Sequence, residues 1–381
     1  MKKRNYFKWI ISIFFLVFAP VMGYFHQVKG GGPNGAPSVD AMCPFGGLET
    51  LFSLIKDGTY LKKIEPSSFI ILICVILLTV LFGRIFCGYI CPLGTIQSLI
   101  NKLGKKLKIK QIKLNGKIHK VLQFAKYFVL AIVLVTTYRA GELILRTMDP
   151  WATFMHFGSG TEIFTEFLMG FIILMLIFIT SLFIERAWCR YFCPLGAFLS
   201  LISVFRIFKV KRNSSTCVNC KKCTRNCPMG LEVHNSSSTN SMECISCGEC
   251  ITECPKENVL EMKKGKSKLS FKAIGFSIIL VMVLVIGGAK AIGKFEVAQG
   301  NKEVLTEKGV LNPDNIRGYM TIKDISKEFD IEVSVLLKEC ELPEDTDINK
   351  SIKDLKTELE EKGIEFETED LREAILKIQE K

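Results

Sequence analysis

The sequence has little histidine and no recognisable nucleotide- or flavin-binding pattern. Its 381 residues include only four histidines, and none of them forms a helical pair that would ligate a haem. No glycine-rich dinucleotide fingerprint occurs, and no pattern marks a substrate pocket. These absences count against a haem protein and against an enzyme that transforms a small substrate by itself.

Acidic residues are scarce in the first three quarters of the chain. Residues 1–293 carry 36 Lys and Arg against 15 Asp and Glu, whereas residues 294–381 carry 14 against 23. A basic body with an acidic appendage is typical of a membrane-associated protein. No aromatic-basic motif accompanies the basic loops, so we expect no nucleic-acid partner.

Five apolar stretches are long enough to predict transmembrane helices, since a bilayer core about 30 Å thick takes roughly 20 apolar residues. They are Trp9–Phe25, Ser67–Gly83, Val121–Tyr138, Phe167–Ile184 and Ala273–Ala289. The first is expected to be an uncleaved anchor, because no small-residue cleavage site follows it. Lys126, the one charge in the third stretch, is expected to extend its amine to the interface.

Loop charges predict the orientation of these spans, because short basic loops stay in the cytoplasm. Residues 84–120 have nine basic and no acidic residues, and residues 185–272 have fifteen basic and seven acidic residues. Residues 25–66 are balanced at four and four, and residues 139–166 have two basic and four acidic residues. We expect a multi-pass protein of the cell membrane with both basic loops in the cytoplasm and the C-terminal domain outside.

Eight of the fifteen cysteines form two adjacent runs in the second basic loop. Each run has the spacing C-x-x-C-x-x-C-x-x-x-C-P, the bacterial ferredoxin pattern in which the fourth cysteine ligates the other [4Fe–4S] cluster. Zinc sites use C-x-x-C pairs at longer separation, and a cytoplasmic loop disfavours disulfides. We therefore predict two [4Fe–4S] clusters. Cluster one is assigned to Cys217, Cys220, Cys223 and Cys254, and cluster two to Cys244, Cys247, Cys250 and Cys227.

Four more cysteines belong to an internal repeat, and we call them the corner cysteines. Cys87 and Cys91 follow the second apolar stretch, and Cys189 and Cys193 follow the fourth, each pair within C-x-x-x-C-P-L-G. The proline predicts a helix start, which places the second cysteine of each pair at an N-cap where the helix dipole favours thiolate. The four thiols are a candidate site for an additional metal or cluster. A redox-active dithiol and simple packing of helix ends are the alternatives.

The paired C-x-x-x-C-P motifs followed by a two-cluster run resemble the membrane polyferredoxin family of the NapH type. The resemblance covers about Ser67–Glu261. It implies electron transfer through the membrane by [4Fe–4S] clusters, usually linked to the quinone pool. Members of that family serve periplasmic nitrate reductase systems, nitrous-oxide reductase maturation and copper assembly of cytochrome oxidase.

The predicted fold is an all-α integral membrane protein with a small α+β bacterial-type 2[4Fe–4S] ferredoxin insert and a small helical C-terminal domain. A 30-residue repeat, with N-caps at Thr321 and Ser351, predicts paired helices in that domain. The predicted boundaries are 1–28 for the N-terminal anchor, 29–66 for an extracytoplasmic loop, 67–208 for the transmembrane core, 209–262 for the ferredoxin domain, 270–292 for the fifth transmembrane helix, 293–320 for a linker and 321–381 for the acidic extracytoplasmic domain.

These patterns indicate an electron-transfer subunit rather than a stand-alone enzyme. We expect it to relay electrons between a quinone pool or a cytoplasmic donor and a partner redox enzyme. The expected partners are membrane lipid and a redox protein or reductase, with quinone as a further candidate. The alternative is an assembly factor that supplies electrons or metal during maturation of a metalloenzyme.

Overall fold

The computed structural model describes residues 5–29, 42–51, 66–112, 114, 116–140, 144–158, 163–164, 167–265, 267–293, 295, 305–307, 310–343, 345–364 and 366–379. Its contacts divide the chain into two compact units. The first is formed by Met1–Tyr24 and Val39–Glu296, and the second mainly by Val297–Lys381. Much of the predicted loop 29–66 and part of the predicted linker 293–320 lie outside the described residues.

Helices occupy most of each of the five apolar stretches of the first unit, and further helices lie in described segments between them. In chain order they are α1 (Tyr6–Lys29), α2 (Pro44–Glu49), α3 (Pro66–Phe82), α4 (Pro92–Lys106), α5 (Gly116–Ala140), α6 (Pro150–Met155), α7 (Leu168–Phe183), α8 (Ala187–Tyr191), α9 (Pro194–Ile202), α10 (Lys222–Arg225), α11 (Glu249–Thr252) and α12 (Phe271–Ala291). A π-helical turn, Phe86–Ile90, precedes α4. Short 3₁₀ turns lie at Ile144–Met148, His156–Gly158, Ser203–Phe205 and Val233–Asn235.

Three of these helices, α1, α5 and α12, contain segments that are long and apolar enough to cross a membrane. Large apolar side chains such as Phe14, Phe128 and Phe276 are exposed on them, as expected of helices that face lipid. The structure is therefore that of a membrane protein.

The helices α3 and α7 are shorter than the roughly 20 residues that a bilayer-spanning helix usually needs. They contain 17 and 16 residues, or about 25 Å of helix at 1.5 Å per residue. The chain leaves α3 through the left-handed Gly83, and it leaves α7 through the extended Ile184 before the left-handed Arg186 caps α8. Both breaks come just before a pair of corner cysteines, so the chain turns at the corner.

The cysteine-rich insert, residues 209–269, is built on a small antiparallel sheet. Its strands are β1 (Lys209–Arg212), β2 (Leu260–Lys264) and β3 (Ser267–Leu269), in the order β1-β2-β3. Both cysteine runs lie between β1 and β2. Met229 and Met262 of the insert share one buried apolar core with Leu78 of α3. The insert therefore packs directly on the helical body.

The second unit contains a hairpin and two helix pairs. Its elements are β4 (Thr306–Glu307), β5 (Val310–Leu311), α13 (Ile322–Phe329), α14 (Val333–Glu339), α15 (Ile352–Glu361) and α16 (Thr368–Gln379), with a 3₁₀ turn at Pro313–Asn315. The Oγ1 atom of Thr321 accepts a bond from the Asp324 N–H at 3.0 Å, and Oγ of Ser351 accepts one from the Asp354 N–H at 3.2 Å. These contacts confirm the two predicted N-caps, and the 30-residue repeat corresponds to one helix pair per copy.

Candidate iron–sulfur centre

The eight cysteines of the insert line two separate cavities. Cavity one is lined by Cys217, Cys220, Cys223 and Cys254, and cavity two by Cys227, Cys244, Cys247 and Cys250. Each cavity thus receives three cysteines from one run and the fourth from the other. The structure brings together both four-cysteine sets that the spacing predicts.

The backbone of the two runs follows the same path around these cavities. Asn219 and Lys221 in the first run have φ of 51° and 57°, and the equivalent residues Ser246 and Gly248 have φ of 51° and 74°. Left-handed residues thus lie on either side of Cys220 and of Cys247. The two loops therefore turn in the same way around their cavities, as expected for two copies of one cysteine motif.

The spacing of these thiols does not suit a single metal ion. Four thiolates bound tetrahedrally to one zinc, with bonds of about 2.3 Å, would have their sulfurs about 3.8 Å apart. Within the described part of the chain, no three His, Cys, Asp or Glu side chains gather as ligands of one ion. The four thiols instead surround a cavity, which fits a cluster whose irons each bind one thiolate.

The first cavity opens toward solvent among basic side chains. The charged residues that line it are Arg212, Lys221 and Lys256. The backbone N–H of Asn219 and the side chain of Arg212 both donate to the Cys217 sulfur and lower the pKa of that thiol. The protein by itself therefore makes thiolate formation easier at Cys217 than in an ordinary cysteine.

The second cavity is more deeply buried, and the pKa values of its thiols are raised rather than lowered. Burial raises the pKa of Cys227 to about 12 and that of Cys247 to about 11. These thiols become thiolates at neutral pH only when bound iron supplies the compensating charge.

The corner cysteines occupy the positions that the sequence predicts. Cys91 is the N-cap of α4 and Cys193 that of α9, and Sγ of Cys193 accepts a bond from the Gly196 N–H at 3.3 Å. Cys87 and Cys189 are buried. The four thiols are close enough for their thiolate forms to repel one another. The predicted N-caps are confirmed, and the two pairs lie together.

Two arginines that the sequence reasoning missed cross between the halves of the repeat. Arg186 donates from Nη1 to the Cys87 carbonyl at 2.5 Å, and Arg84 from Nη2 to the Cys189 carbonyl at 3.5 Å. A Cβ at Gly94 would lie 2.9 Å from the Arg186 guanidinium, and one at Gly196 would lie 2.7 Å from that of Arg84. Each arginine lies three residues before the first cysteine of its own motif. This shared position in the two copies of the repeat is the sequence feature that could have revealed both arginines.

The second cavity lies directly against the corner. A Cβ at Gly88, between Cys87 and Cys91, would collide with the Ile245 carbonyl and would lie 3.5 Å from Cα of Cys247. Only glycine therefore permits the C-x-x-x-C segment to approach the cluster-two loop this closely.

A buried ionic cluster reinforces that contact. Arg84 donates to Glu243 at 2.8 Å, Lys126 also pairs with Glu243, and the residue after Glu243 is Cys244. The expectation that Lys126 reaches the interface is wrong. Its side chain has no exposed surface, because the docked insert covers it and supplies a carboxylate.

Cys43, Cys74 and Cys340 line neither cavity, whereas His234 belongs to the lining of cavity one. Cys74 is buried in the core of α3, Cys43 caps the short helix α2, and Cys340 packs against the core of the second unit. His119 and His234 hydrogen-bond to Tyr191 and Thr224, respectively.

Two sequence families match the chain over the regions just described. One, described as "4Fe-4S binding domain", matches residues 64–110 and again 166–213, once for each half of the corner repeat. The other, described as "4Fe-4S dicluster domain", matches residues 209–255.

Several named proteins are similar to this chain. "Putative electron transport protein YccM" of Escherichia coli (strain K12) is 30% identical over 260 residues, which are 65% of this chain and 70% of that protein. "Uncharacterized protein MJ0750" of Methanocaldococcus jannaschii is 35% identical over 50% of this chain and 75% of that protein. "Ferredoxin-type protein NapH" of Haemophilus influenzae is 28% identical over 41% and 51%, respectively. No solved structure matches the chain.

Apolar helices, thiol-lined cavities and 4Fe–4S domains define a membrane-associated iron–sulfur electron-transfer protein. Its sequence relatives place it more narrowly. The chain belongs to the membrane polyferredoxin-type family.

The crossed cysteine sets lead to a test by substitution. Cys254→Ser should remove about four irons and give the same remaining spectrum as Cys220→Ser, because both residues line cavity one. Cys227→Ser should instead give the same iron loss and the same remaining spectrum as Cys247→Ser, because both residues line cavity two. Iron analysis and electron paramagnetic resonance of anaerobic preparations measure this. A Cys254→Ser spectrum that matches Cys247→Ser would contradict the crossed arrangement.

The close approach at Gly88 leads to a second test. Gly88→Ala should displace the Cys244–Cys247 loop and reduce cluster-two occupancy, because its Cβ has no room beside the Ile245 carbonyl. Gly287→Ala is the matched control, since nothing lies within 4 Å of a Cβ there. Iron content and the cluster-two spectrum are the readouts. Wild-type values for Gly88→Ala would show that the contact tolerates a side chain.

Proposed function

We propose that the protein relays single electrons between a cytoplasmic donor or the quinone pool and a partner redox enzyme, through two [4Fe–4S] clusters and the corner. The observation that carries this proposal is the contact of Gly88 with Ile245 and Cys247. It places cavity two against the membrane body, whereas cavity one opens to solvent. A [4Fe–4S] cluster in each cavity would supply one-electron transfer.

The surface around cavity one supports its role as the site of exchange with a soluble partner. Arg212, Lys221 and Lys256 line the cavity, and Val218 is an exposed apolar residue beside them. Residues 209–230 carry six basic and no acidic residues. Such a surface attracts an acidic redox protein and accelerates its encounter.

The corner is proposed as the junction with the membrane. Its four thiols lie at the inner ends of the helices, next to cavity two, and we propose that they bind an additional metal or cluster. Electrons would leave there for a quinone or a membrane-bound reductase, or would enter from them. The two ferredoxin cavities lie in one insert, so they cannot by themselves span about 30 Å of hydrocarbon.

We further propose five transmembrane spans, with the insert in the cytoplasm and the second unit outside. The α3 and α7 helices are short, but each continues into the corner rather than into a free loop. The concentration of Lys and Arg between these spans supports the orientation. The acidic second unit would then be available to a partner on the outer side.

The orientation has a direct test. A reporter that is active only outside the cytoplasm should be active when fused after Lys381 and silent when fused after Lys263. A cytoplasm-specific reporter at the same two positions should give the reverse result and controls for expression. Activity of the outside reporter after Lys263 would overturn the proposed sidedness.

The junction has a kinetic test. Cys91→Ser or Cys193→Ser should leave both insert clusters assembled but slow electron exchange with membrane quinone on the order of tenfold or more, as loss of a metal-site residue commonly does. Stopped-flow oxidation of the reduced protein in quinone-containing vesicles measures the rate. Cys74→Ser, in α3, is the control. Wild-type rates in both corner variants would show that the corner cysteines only pack the helix ends and take no part in electron exchange.

A further inference from the structure

The first turns of α1 are hydrogen-bonded to the corner. Asn5 caps α1 by accepting a bond from the Lys8 N–H at 3.1 Å, and its amide donates to the Tyr89 hydroxyl at 2.8 Å. The Ser12 hydroxyl donates to the Tyr89 carbonyl at 2.8 Å. Tyr89 is fully buried and belongs to the π-helical turn that precedes α4. The start of α1 is therefore fixed in the same region that borders cavity two.

The Lys8 side chain reaches the loop of cavity two itself. It forms an ion pair with Glu249, which lies in the segment C-G-E-C between Cys247 and Cys250. The side chains of Lys8 and Glu249 are only 6% and 26% exposed. Solvent and salt therefore screen this pair much less than an ion pair on the surface.

The glycine of the same segment lets two helices approach the loop. Gly248 has φ of 74°, and a Cβ there would lie 2.5 Å from the Phe271 ring and 3.6 Å from the Asn5 amide nitrogen. Phe271 is the first residue of α12. The loop is thus held between the first turns of α1 and α12, and this contact fixes the distance between Lys8 and the thiols of cavity two.

Both charges of the ion pair act on a thiol of cavity two. Burial raises the pKa of Cys247 to about 11, whereas the Lys8 charge lowers that pKa and the Glu249 charge raises it. Lys8 has the larger effect of the two, so the pair as a whole favours negative charge at Cys247. An electron added to a cluster in cavity two also brings negative charge, and a nearby cation stabilises it for the same reason.

We propose that Lys8 raises the reduction potential of cluster two and so sets how readily that cluster accepts an electron. The inference rests on the relay proposed above and gives α1 a part in it. Potentials of iron–sulfur clusters depend on the charges around them. The ammonium group of Lys8 is held beside the cluster-two loop by Glu249, and the cap at Asn5 fixes the turn that carries it. The first turns of α1 thus belong to the electron-transfer site, in addition to anchoring the chain in the membrane.

A redox titration monitored by electron paramagnetic resonance tests this role. It uses the full-length protein, purified anaerobically in lipid nanodiscs. Lys8→Met should make the midpoint potential of cluster two more negative, and Glu249→Gln should make it more positive, because the two changes remove opposite charges. Each should alter the equilibrium constant of one-electron reduction on the order of tenfold, which corresponds to about 59 mV. The double variant should return toward the wild-type potential, and Lys8→Arg, which keeps the charge, should retain it.

The matched control is Lys290→Met, at the other end of α12. About 28 Å of helix separates residue 290 from Phe271, so the potential should not change. Shifts of the same sign in Lys8→Met and Glu249→Gln, or wild-type potentials in both, would overturn the role of Lys8, while the two-cluster relay would stand. If Lys8→Met loses cluster two, Glu249→Gln decides, and a potential that is not more positive overturns the proposal. Absence of both cluster signals from the wild-type protein would instead overturn the relay.

Discussion

Burial of positive charge where the helical body meets the insert is the constraint on which this structure depends. Arg84 and Lys126 have no exposed side-chain surface, and both reach Glu243, which belongs to the insert. Removing Glu243 would leave two cations in an apolar environment, where each costs several kcal/mol. The insert is therefore an integral part of the membrane body, and the position of cavity two next to the corner follows from the same contact.

Much of the candidate site could be predicted because thiolate clusters impose a local spacing. The runs from Cys217 to Cys227 and from Cys244 to Cys254 fix which thiols share a cavity, and the proline after Cys91 or Cys193 fixes a helix start. Such signals are contained within a dozen residues. The five apolar helices were predictable for the same reason, since hydropathy is a local property of the chain.

The contacts that organise the corner could not be predicted in this way, because they join distant residues. Lys126 lies 117 residues from Glu243 and Arg186 lies 99 from Cys87. In the sequence, Lys126 is simply a charge near the end of an apolar stretch, and its partner becomes visible only when the insert is folded. Hydropathy predicted the ends of α3 and α7 to within one residue. It carries no signal for the left-handed conformations at Gly83 and Arg186, which set the direction of the chain at each corner.

The pairing of β1 with β2 also bears on how such a protein can arise. Lys209 stands opposite Lys263, so the chain enters and leaves the cysteine-rich region at points about 5 Å apart, one strand spacing. A module whose ends meet in this way can be joined between two helices without separating them. Its loss would nevertheless remove Glu243 and leave Arg84 and Lys126 buried without that partner. A helical body of this kind can therefore combine with a different redox module only if that module also supplies a carboxylate at this contact.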